Sequence, residues 1–268
     1  LTSFNAGNNQ ISDLSPLTGL VSLRSLSLSQ NQISNLSPLE GLTGLTGLYL
    51  SINQISDLSP LTGLVSLTSL SLSQNRVREI TSFSSLTSLS FLELNQNDIS
   101  DITPLSELTS LAMLQLRDNR ISNIESLSDM SNLFFLNLMT NDISDINPIS
   151  SLTRLTSLVL VDNRITDVIA LSPLVNLNYL YLDYNEIADI RGLSSLTNLA
   201  FLSLPGNRIT DITPLSDLTD LVTLLIQDNQ IDDLNLLKDL KNLLGIGVEL
   251  VNSEHLILLQ SIMESRAL

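Results

Sequence analysis

The sequence predicts an α/β solenoid, a curved right-handed superhelix with a parallel β-sheet on its concave face and short 3₁₀ or helical turns on its convex face. Three observations support this fold class. An asparagine returns every 22 residues from Asn9 to Asn229, with no insertion or deletion. Counted from each asparagine, apolar residues fall at +2, +5, +8, +11, +14, +17 and +19, as at Ile11, Leu14, Leu17, Leu20, Leu23, Leu26 and Leu28. A unit of this length cannot bury its apolar side alone, so neighbouring units must stack.

Each repeat contains a segment that predicts a β-strand. From Ser25 to Ser29, apolar and polar residues alternate with a period of two, which is typical of a strand with one buried face. One such strand per repeat, always in the same direction, predicts twelve parallel strands. At about 4.8 Å between neighbours, this ladder is roughly 50 Å long.

The repeat asparagine follows each strand, where the chain turns. Because its neighbours are buried, its amide must find hydrogen-bond partners. We therefore predict a structural ladder in which each amide bonds backbone groups in its own turn and in the next. Its members are Asn31, Asn53, Asn75, Asn97, Asn119, Asn141, Asn163, Asn185, Asn207 and Asn229.

The remaining third of each repeat predicts a short turn on the opposite side. Pairs such as Ser15-Pro16, Thr103-Pro104 and Asn147-Pro148 occupy the same two repeat positions, and they suggest an N-cap followed by proline at the first helical position. Only one turn of helix fits before the next strand, and we predict that it has 3₁₀ geometry. A turn or solvation role is also predicted for the acidic residues at +4, which are Asp13, Asp57, Glu79, Asp101, Asp145, Asp167, Asp189, Asp211 and Asp233.

The repeats predict one elongated domain over residues 1–251, followed by a C-terminal helical cap over residues 252–268. Val251 replaces the repeat asparagine, and Asn252-Ser253-Glu254 has the composition of a helix start. The apolar residues that follow, from Leu256 to Met263, predict an amphipathic helix that covers the open end of the core.

Composition argues against several functional classes. A formal net charge of −16 disfavours nucleic acid and anionic membrane surfaces as partners. The chain has no cysteine and a single histidine, His255, so the usual metal sites and a nucleophilic triad lack their residues. We therefore predict no metal, no cofactor, no catalytic residues and no membrane insertion, and we predict that the protein is not an enzyme.

The repeat resembles a known family. The pattern Leu-x-x-Leu-x-Leu-x-x-Asn-x-Ile, which occurs within Leu111 to Leu127 and within Leu199 to Leu215, resembles the leucine-rich repeat in its 22-residue form and is most similar to the repeat domain of bacterial internalins. This resemblance implies a secreted or cell-surface bacterial protein that binds a protein of a host or neighbouring cell. An intracellular regulatory scaffold that holds an enzyme such as a phosphatase is the alternative that the resemblance allows.

Residues at −6, −4 and −2 from each asparagine should point away from the core. In the first four repeats they are small, with Tyr49 the only large side chain, whereas from the fifth repeat onward many are large. Aromatic, methionine and arginine side chains are enriched in interface cores. We therefore predict a protein-binding site on the concave face formed by Phe91, Glu93, Met113, Arg117, Phe135, Met139, Val159, Val161, Tyr179, Tyr181, Asp183 and Phe201.

Glu93 and Arg117 lie on adjacent repeats and are expected to pair. The competing interpretation is that aromatic residues on a strand reflect β-propensity alone, in which case the protein is a structural spacer. Self-association through the same apolar stripe is the third alternative that the residues leave open.

Overall fold

Each repeat forms one three-residue β-strand, as the alternation of apolar and polar residues predicts. The computed structural model describes residues 1–231, 233–248 and 260, and the chain divides into two compact units, Leu1–Asp142 and Ile143–Leu268. The strands of the first unit are β1 (Ser3–Asn5), β2 (Ser25–Ser27), β3 (Gly47–Tyr49), β4 (Ser69–Ser71), β5 (Phe91–Glu93), β6 (Met113–Gln115) and β7 (Phe135–Asn137). Those of the second unit are β8 (Ser157–Val159), β9 (Tyr179–Tyr181), β10 (Phe201–Ser203), β11 (Thr223–Leu225) and β12 (Gly245–Gly247).

Within each unit, the strands pair in parallel and in chain order. The register places residues 22 positions apart directly opposite each other, as in Phe91 opposite Met113 and Tyr179 opposite Phe201. The strands are shorter than the five residues predicted, but backbone bonds continue past their ends, as from the Leu28 N–H to the Tyr49 carbonyl at 2.8 Å. The leucine-rich repeat solenoid predicted from the sequence is therefore confirmed.

A short 3₁₀ helix forms the opposite side of each repeat. In the first unit these helices are η1 (Ser15–Leu17), η2 (Ser37–Leu39), η3 (Ser59–Leu61), η4 (Thr81–Ser85), η5 (Thr103–Leu105) and η6 (Glu125–Leu127). In the second unit they are η7 (Asn147–Ser151), η8 (Ile169–Leu171), η9 (Arg191–Leu193), η10 (Thr213–Leu215) and η11 (Asn235–Lys238). The predicted cap at 252–268 lies outside the described residues, apart from Gln260, which is helical.

The expected N-cap role of the residue before proline is wrong. Ser15 and Thr103 are the first residues of η1 and η5, and the residues that precede these helices, Leu14 and Ile102, make no side-chain cap bond. The acceptor is instead the +4 residue: Asp13 Oδ1 accepts the Ser15 N–H at 2.8 Å. The Asp13 carboxylate accepts the Ser15 N–H, Pro16 has no N–H, and the Leu17 N–H donates to the Leu14 carbonyl at 2.9 Å. The Ser15 hydroxyl therefore finds no free N–H from which to accept a hydrogen bond.

The turn role predicted for the +4 residues is confirmed for the aspartates. The same bond recurs at Asp57, Asp101, Asp145, Asp167, Asp189, Asp211 and Asp233, and also at Asn35 and Asn123, with distances from 2.7 to 3.0 Å. No such bond forms at Glu79, whose side chain is one methylene longer. The turn hydrogen bond therefore requires an acceptor oxygen on a short side chain, which can be charged or neutral.

Leucine and isoleucine fill the interior of each unit. Most of the predicted apolar positions are fully buried, including Leu23, Leu26 and Leu28. Leu20, predicted to be in the core, is instead 37% exposed, whereas Leu42 at the equivalent position of the following repeat is fully buried. Core positions in the interior repeats follow the predicted spacing closely.

The residue before each repeat asparagine has a left-handed backbone. This position has a positive φ in all eleven repeats, including Ile52 at 60° and Thr140 at 53°, and only Gly206 is a glycine. Side chains with a Cβ, and β-branched ones above all, are disfavoured in this region. The stacked backbone bonds on both sides of the turn must therefore hold a conformation that the residue itself does not favour.

Candidate functional site

The repeat asparagines form a regular set of hydrogen bonds from side chain to backbone. Asn53 Nδ2 donates to the carbonyls of Leu50 in its own repeat and of Leu28 in the preceding repeat, at 3.0 and 3.1 Å. Its Oδ1 accepts the Ile33 N–H at 2.9 Å. Each amide thus joins its own repeat to the preceding one, whereas the sequence analysis expected bonds to the following turn. The pattern recurs in both units, and Asn163, Asn185 and Asn207 are buried.

The outward face of each unit consists of the side chains at −6, −4 and −2. In the first unit, Phe91, Met113 and Phe135 stand directly opposite one another on β5, β6 and β7. All three are half-buried, as is Met139, while Arg117 is exposed. The register therefore brings the large residues predicted in this unit into one column on one surface.

The predicted pair between Glu93 and Arg117 does not form. Arg117 Nε lies 3.0 Å from the Oδ2 of Asp118, its neighbour in the chain. Glu93 Oε2 instead accepts the hydroxyl of Ser71, and its Oε1 accepts from Asn95 Nδ2 at 3.3 Å. Uncharged donors on adjacent positions are closer to the carboxylate than the long arginine side chain is.

Those contacts belong to a polar chain that the sequence analysis missed. Ser51 and Ser71 share a hydroxyl hydrogen bond of 2.6 Å, and Asn95 Nδ2 also donates to Gln115 Oε1 at 3.2 Å. The chain runs from Ser51 through Ser71, Glu93 and Asn95 to Gln115 and crosses four strands. The signal was a run of small hydroxyl residues beside an acid and two amides, of which the sequence analysis noted only the small size of the first four repeats' residues.

In the second unit, aromatic residues dominate the outward face. Tyr179 and Phe201 stand opposite each other on β9 and β10, and the exposed fraction of Tyr179 is 47%. The rings of Tyr181 and Phe201 lie with their centroids 4.8 Å apart and tilted by 34°, a geometry in which two rings attract each other. Val159 and Val161 are half-buried beside them.

Asp183 sits on the same face with one oxygen engaged. Its Oδ1 accepts the hydroxyl of Ser203 at 2.7 Å, whereas its Oδ2 is shielded and has no hydrogen-bond partner in the described structure. Tyr184, which was not predicted to be part of the site, follows Asp183 directly and is 59% exposed. Its left-handed conformation turns its ring towards Gly206, where a Cβ would lie 2.5 Å from Tyr184 Cδ1.

The titrating groups with clear pKa shifts lie on the turn side, away from the outward face. The pKa of Asp13 is lowered by the backbone N–H of Ser15 and then by its hydroxyl. The pKa of Asp101 is lowered by the hydroxyl of Thr103 and then by its N–H. Hydrogen bonds to the charged form explain both shifts.

The part of the chain that the structure describes carries neither a cluster of metal ligands nor a membrane-spanning helix. No group of three or more His, Cys, Asp or Glu side chains that could hold a metal ion occurs there. Over the same residues, no helix has the length and apolar character needed to cross a bilayer.

Comparison with known proteins agrees with this geometry. The model of the family described as Leucine Rich repeats (2 copies) matches residues 1–41, 21–63, 43–88, 65–107, 153–195 and 175–217. These segments cover more than half of the sequence, and the chain belongs to the leucine-rich repeat family. Such repeats present extended surfaces that serve as protein-recognition modules. No curated protein matches the sequence.

Several solved structures resemble this chain. The internalin inlF of Listeria monocytogenes is 29% identical, with a TM-score of 0.82 over 94% of this chain and 83% of that chain. A leucine-rich repeat protein of Leptospira interrogans is 29% identical, with a TM-score of 0.87 over 93% and 67%. The functional domain of InlJ from Listeria monocytogenes is 25% identical, with a TM-score of 0.84 over 93% and 53%. The predicted resemblance to bacterial internalins is therefore confirmed.

Proposed function

We propose that this chain binds a protein partner through the outward faces of its strands and performs no catalysis. The observation that supports this most directly is the columns of large side chains, Phe91, Met113 and Phe135 in one unit and Tyr179 with Phe201 in the other. Strands that only had to present a soluble surface could carry serine there, as most outward positions of the first four repeats do. Aromatic and methionine side chains in contact with one another are typical of interface centres.

The partner-binding residues divide between the two units. In the first unit we assign Phe91, Met113, Phe135 and Met139 as apolar contacts and Glu93 and Arg117 as polar ones. In the second unit we assign Tyr179, Tyr181, Phe201, Val159 and Val161 as apolar contacts and Asp183 as the charged one. Each group is a surface in its own unit.

A bacterial surface or secreted location completes the proposal. It is supported by the similarity to internalin inlF and to the Leptospira protein, at 29% identity in each case. The host or neighbouring cell would then supply the partner. An intracellular scaffold that holds an enzyme is the alternative, and the identity of a captured partner separates the two.

The test is partner capture from host-cell and bacterial extracts with matched variants. Phe91→Ser/Phe135→Ser removes the column of the first unit, and Tyr179→Ser/Phe201→Ser removes that of the second. Phe134→Ser and Ile169→Ser serve as controls, because both residues are exposed, at 42% and 55%, but lie outside the outward positions. We expect at least one column variant to lose a partner that wild type and both controls retain.

All variants are first compared by their thermal unfolding midpoints, so that loss of capture is not loss of folding. Equal capture by all forms would move the site to another surface. Capture of nothing but a second copy of the chain would indicate self-association, and no capture at all would indicate a spacer. Each of these results would contradict the proposal.

A further inference from the structure

The carboxylate of Asp183 is held in place but only half satisfied. The Ser203 hydroxyl, which donates to Oδ1, belongs to a residue that is 1% exposed, so this bond fixes the orientation of the group. The second oxygen, Oδ2, is shielded from solvent and unpaired among the described residues. A shielded carboxylate oxygen without a donor is unfavourable, and a binding function is one reason for a protein to keep it.

Aromatic residues lie on both sides of Asp183 in the sequence. Three of the four tyrosines in the chain fall within six residues, at Tyr179, Tyr181 and Tyr184. The ring of Tyr181 packs on Phe201 on one side of Asp183 along the strand. Tyr184 follows Asp183 in the chain, its ring lies near Gly206, and the residue is 59% exposed.

Apolar residues flank the carboxylate on the adjacent strands. The Asp162 N–H donates to the Asp183 carbonyl at 2.9 Å, and the Tyr184 N–H donates to the Pro205 carbonyl at 2.7 Å. These bonds place Val161 and Pro205 at the positions equivalent to Asp183 on either side. The site is thus a single negative charge within an aromatic and apolar rim.

No cation of the outward face complements this charge. Among the described residues at the outward positions of β8 to β12, Asp183 is the only charged one. The whole chain carries a net charge of −16, so its surroundings favour the approach of a positive group. A complement to Asp183 must therefore come from another molecule.

We propose that this rimmed carboxylate is the recognition site for a basic side chain, arginine or lysine, of the protein partner. The inference rests on the proposed binding function and specifies the chemistry of the partner. The cation donates to Oδ2 in a charge-assisted hydrogen bond and lies against the face of a tyrosine ring, which attracts it further. Because Oδ2 is shielded in the free chain, rim side chains turn aside as the cation enters.

The test uses small probes in place of the partner. N-acetyl-arginine amide, N-acetyl-lysine amide and the neutral N-acetyl-norleucine amide are each titrated at low salt into protein with ¹³C-labelled tyrosine rings, and the ring resonances are followed by NMR. Tyr181→Phe and Tyr184→Phe assign the signals. We expect saturable shifts of Tyr181 and Tyr184 with at least one basic amide and not with the norleucine amide.

Two variants decide whether Asp183 is responsible. Asp183→Asn keeps the acceptor for Ser203 but removes the charge, and it should bind the basic amide about tenfold more weakly. Asp162→Asn removes one charge at a neighbouring exposed position and should bind as wild type does. Response to only one basic amide identifies that side chain as the ligand.

Three results would overturn the inference: no saturable shift with either basic amide, equal shifts with the norleucine amide, or equal binding by Asp183→Asn. None of them bears on partner capture, which is tested through Phe91, Phe135, Tyr179 and Phe201. If the chain captures its partner but does not bind the basic amides, the proposed function therefore stands. Only the assignment of a basic side chain as the ligand of Asp183 is then rejected.

Discussion

At the scale of single residues, the side chain of the repeat asparagine joins the backbone of two neighbouring repeats. The Asn53 Nδ2 donates its two hydrogens to the carbonyls of Leu28 and Leu50, and its Oδ1 accepts the Ile33 N–H. Because the side chain is surrounded by backbone groups of two repeats, it joins them more directly than any leucine does. A backbone group left without a partner away from water costs free energy.

Asn53→Ala should therefore reduce the free energy of unfolding by about 1–3 kcal/mol. Urea denaturation followed by circular dichroism measures the change. Gln54→Ala is the matched control, because Gln54 is the adjacent amide side chain and is exposed. We expect the control to lie within about 0.5 kcal/mol of wild type, and equal stability of both variants would contradict the ladder.

Residue types at special backbone positions were the hardest feature to predict. A positive φ usually shows itself as a glycine, but ten of the eleven left-handed positions carry other residues, Ile52 and Tyr184 among them. The stacking of identical turns determines this conformation, so no single residue reveals it. For the same reason the residue pattern did not indicate that the Tyr184 ring turns towards Gly206.

At the scale of the element, the short 3₁₀ helices pack close to one another, and η9 leaves no room for a Cβ at Gly192. A Cβ on Gly192 would collide with the Val168 carbonyl oxygen and would lie 2.7 Å from Ile169 Cα, both backbone atoms of the preceding repeat. Backbone held by its own hydrogen bonds cannot move aside as a flexible side chain can.

Gly192→Ala should therefore destabilise the second unit by about 1–3 kcal/mol, the usual cost of overpacking. Gly41→Ala is the control, since no atom lies within 4 Å of its added Cβ. Thermal unfolding compares the two with wild type. A Gly192→Ala protein as stable as the Gly41→Ala protein would show that η8 and η9 can separate at little cost.

The elements also show which contacts a sequence pattern can and cannot specify. The spacing of leucines and asparagines fixes strands, turns and core, because each position repeats in the same environment. Charged residues directly after the repeat asparagines also pair between neighbouring repeats. Arg120 pairs with Asp98 at 2.6 Å, and Arg208 pairs with Glu186 at 2.8 Å. Glu93 and Arg117 do not pair, because proximity on adjacent strands does not determine which of several donors binds the carboxylate of Glu93.

At the scale of the whole molecule, the acidic charge is partly a structural requirement of the fold. Five turn aspartates, Asp13, Asp57, Asp101, Asp189 and Asp211, have a pKa below the ordinary value of 3.8 because hydrogen bonds from the residue two positions later favour their charged form. Composition alone had suggested a turn or solvation role, and the structure shows that the turn role applies. The candidate binding surface was predicted only as a set of outward positions, since side-chain packing decides which of them cooperate.

These lowered pKa values make stability depend on pH in a defined direction. A group whose pKa is lower in the folded state than in the unfolded state stabilises the fold above its unfolded pKa. That contribution is lost as the pH falls below about 4 and through the folded pKa, where the folded carboxylate must also take up a proton. The free energy of unfolding should therefore decrease as the pH falls from about 5 to about 2.5.

The variant Asp13→Asn/Asp57→Asn/Asp101→Asn should lose less stability than wild type over that pH range. Its amide oxygens can still accept the turn N–H, as those of Asn35 and Asn123 do at 3.0 and 2.9 Å, but they do not titrate. Asn35→Asp is the reverse change and should make the loss larger. Urea midpoints at several pH values measure all three proteins, and parallel pH profiles would show that the turn aspartates do not cause the acid sensitivity.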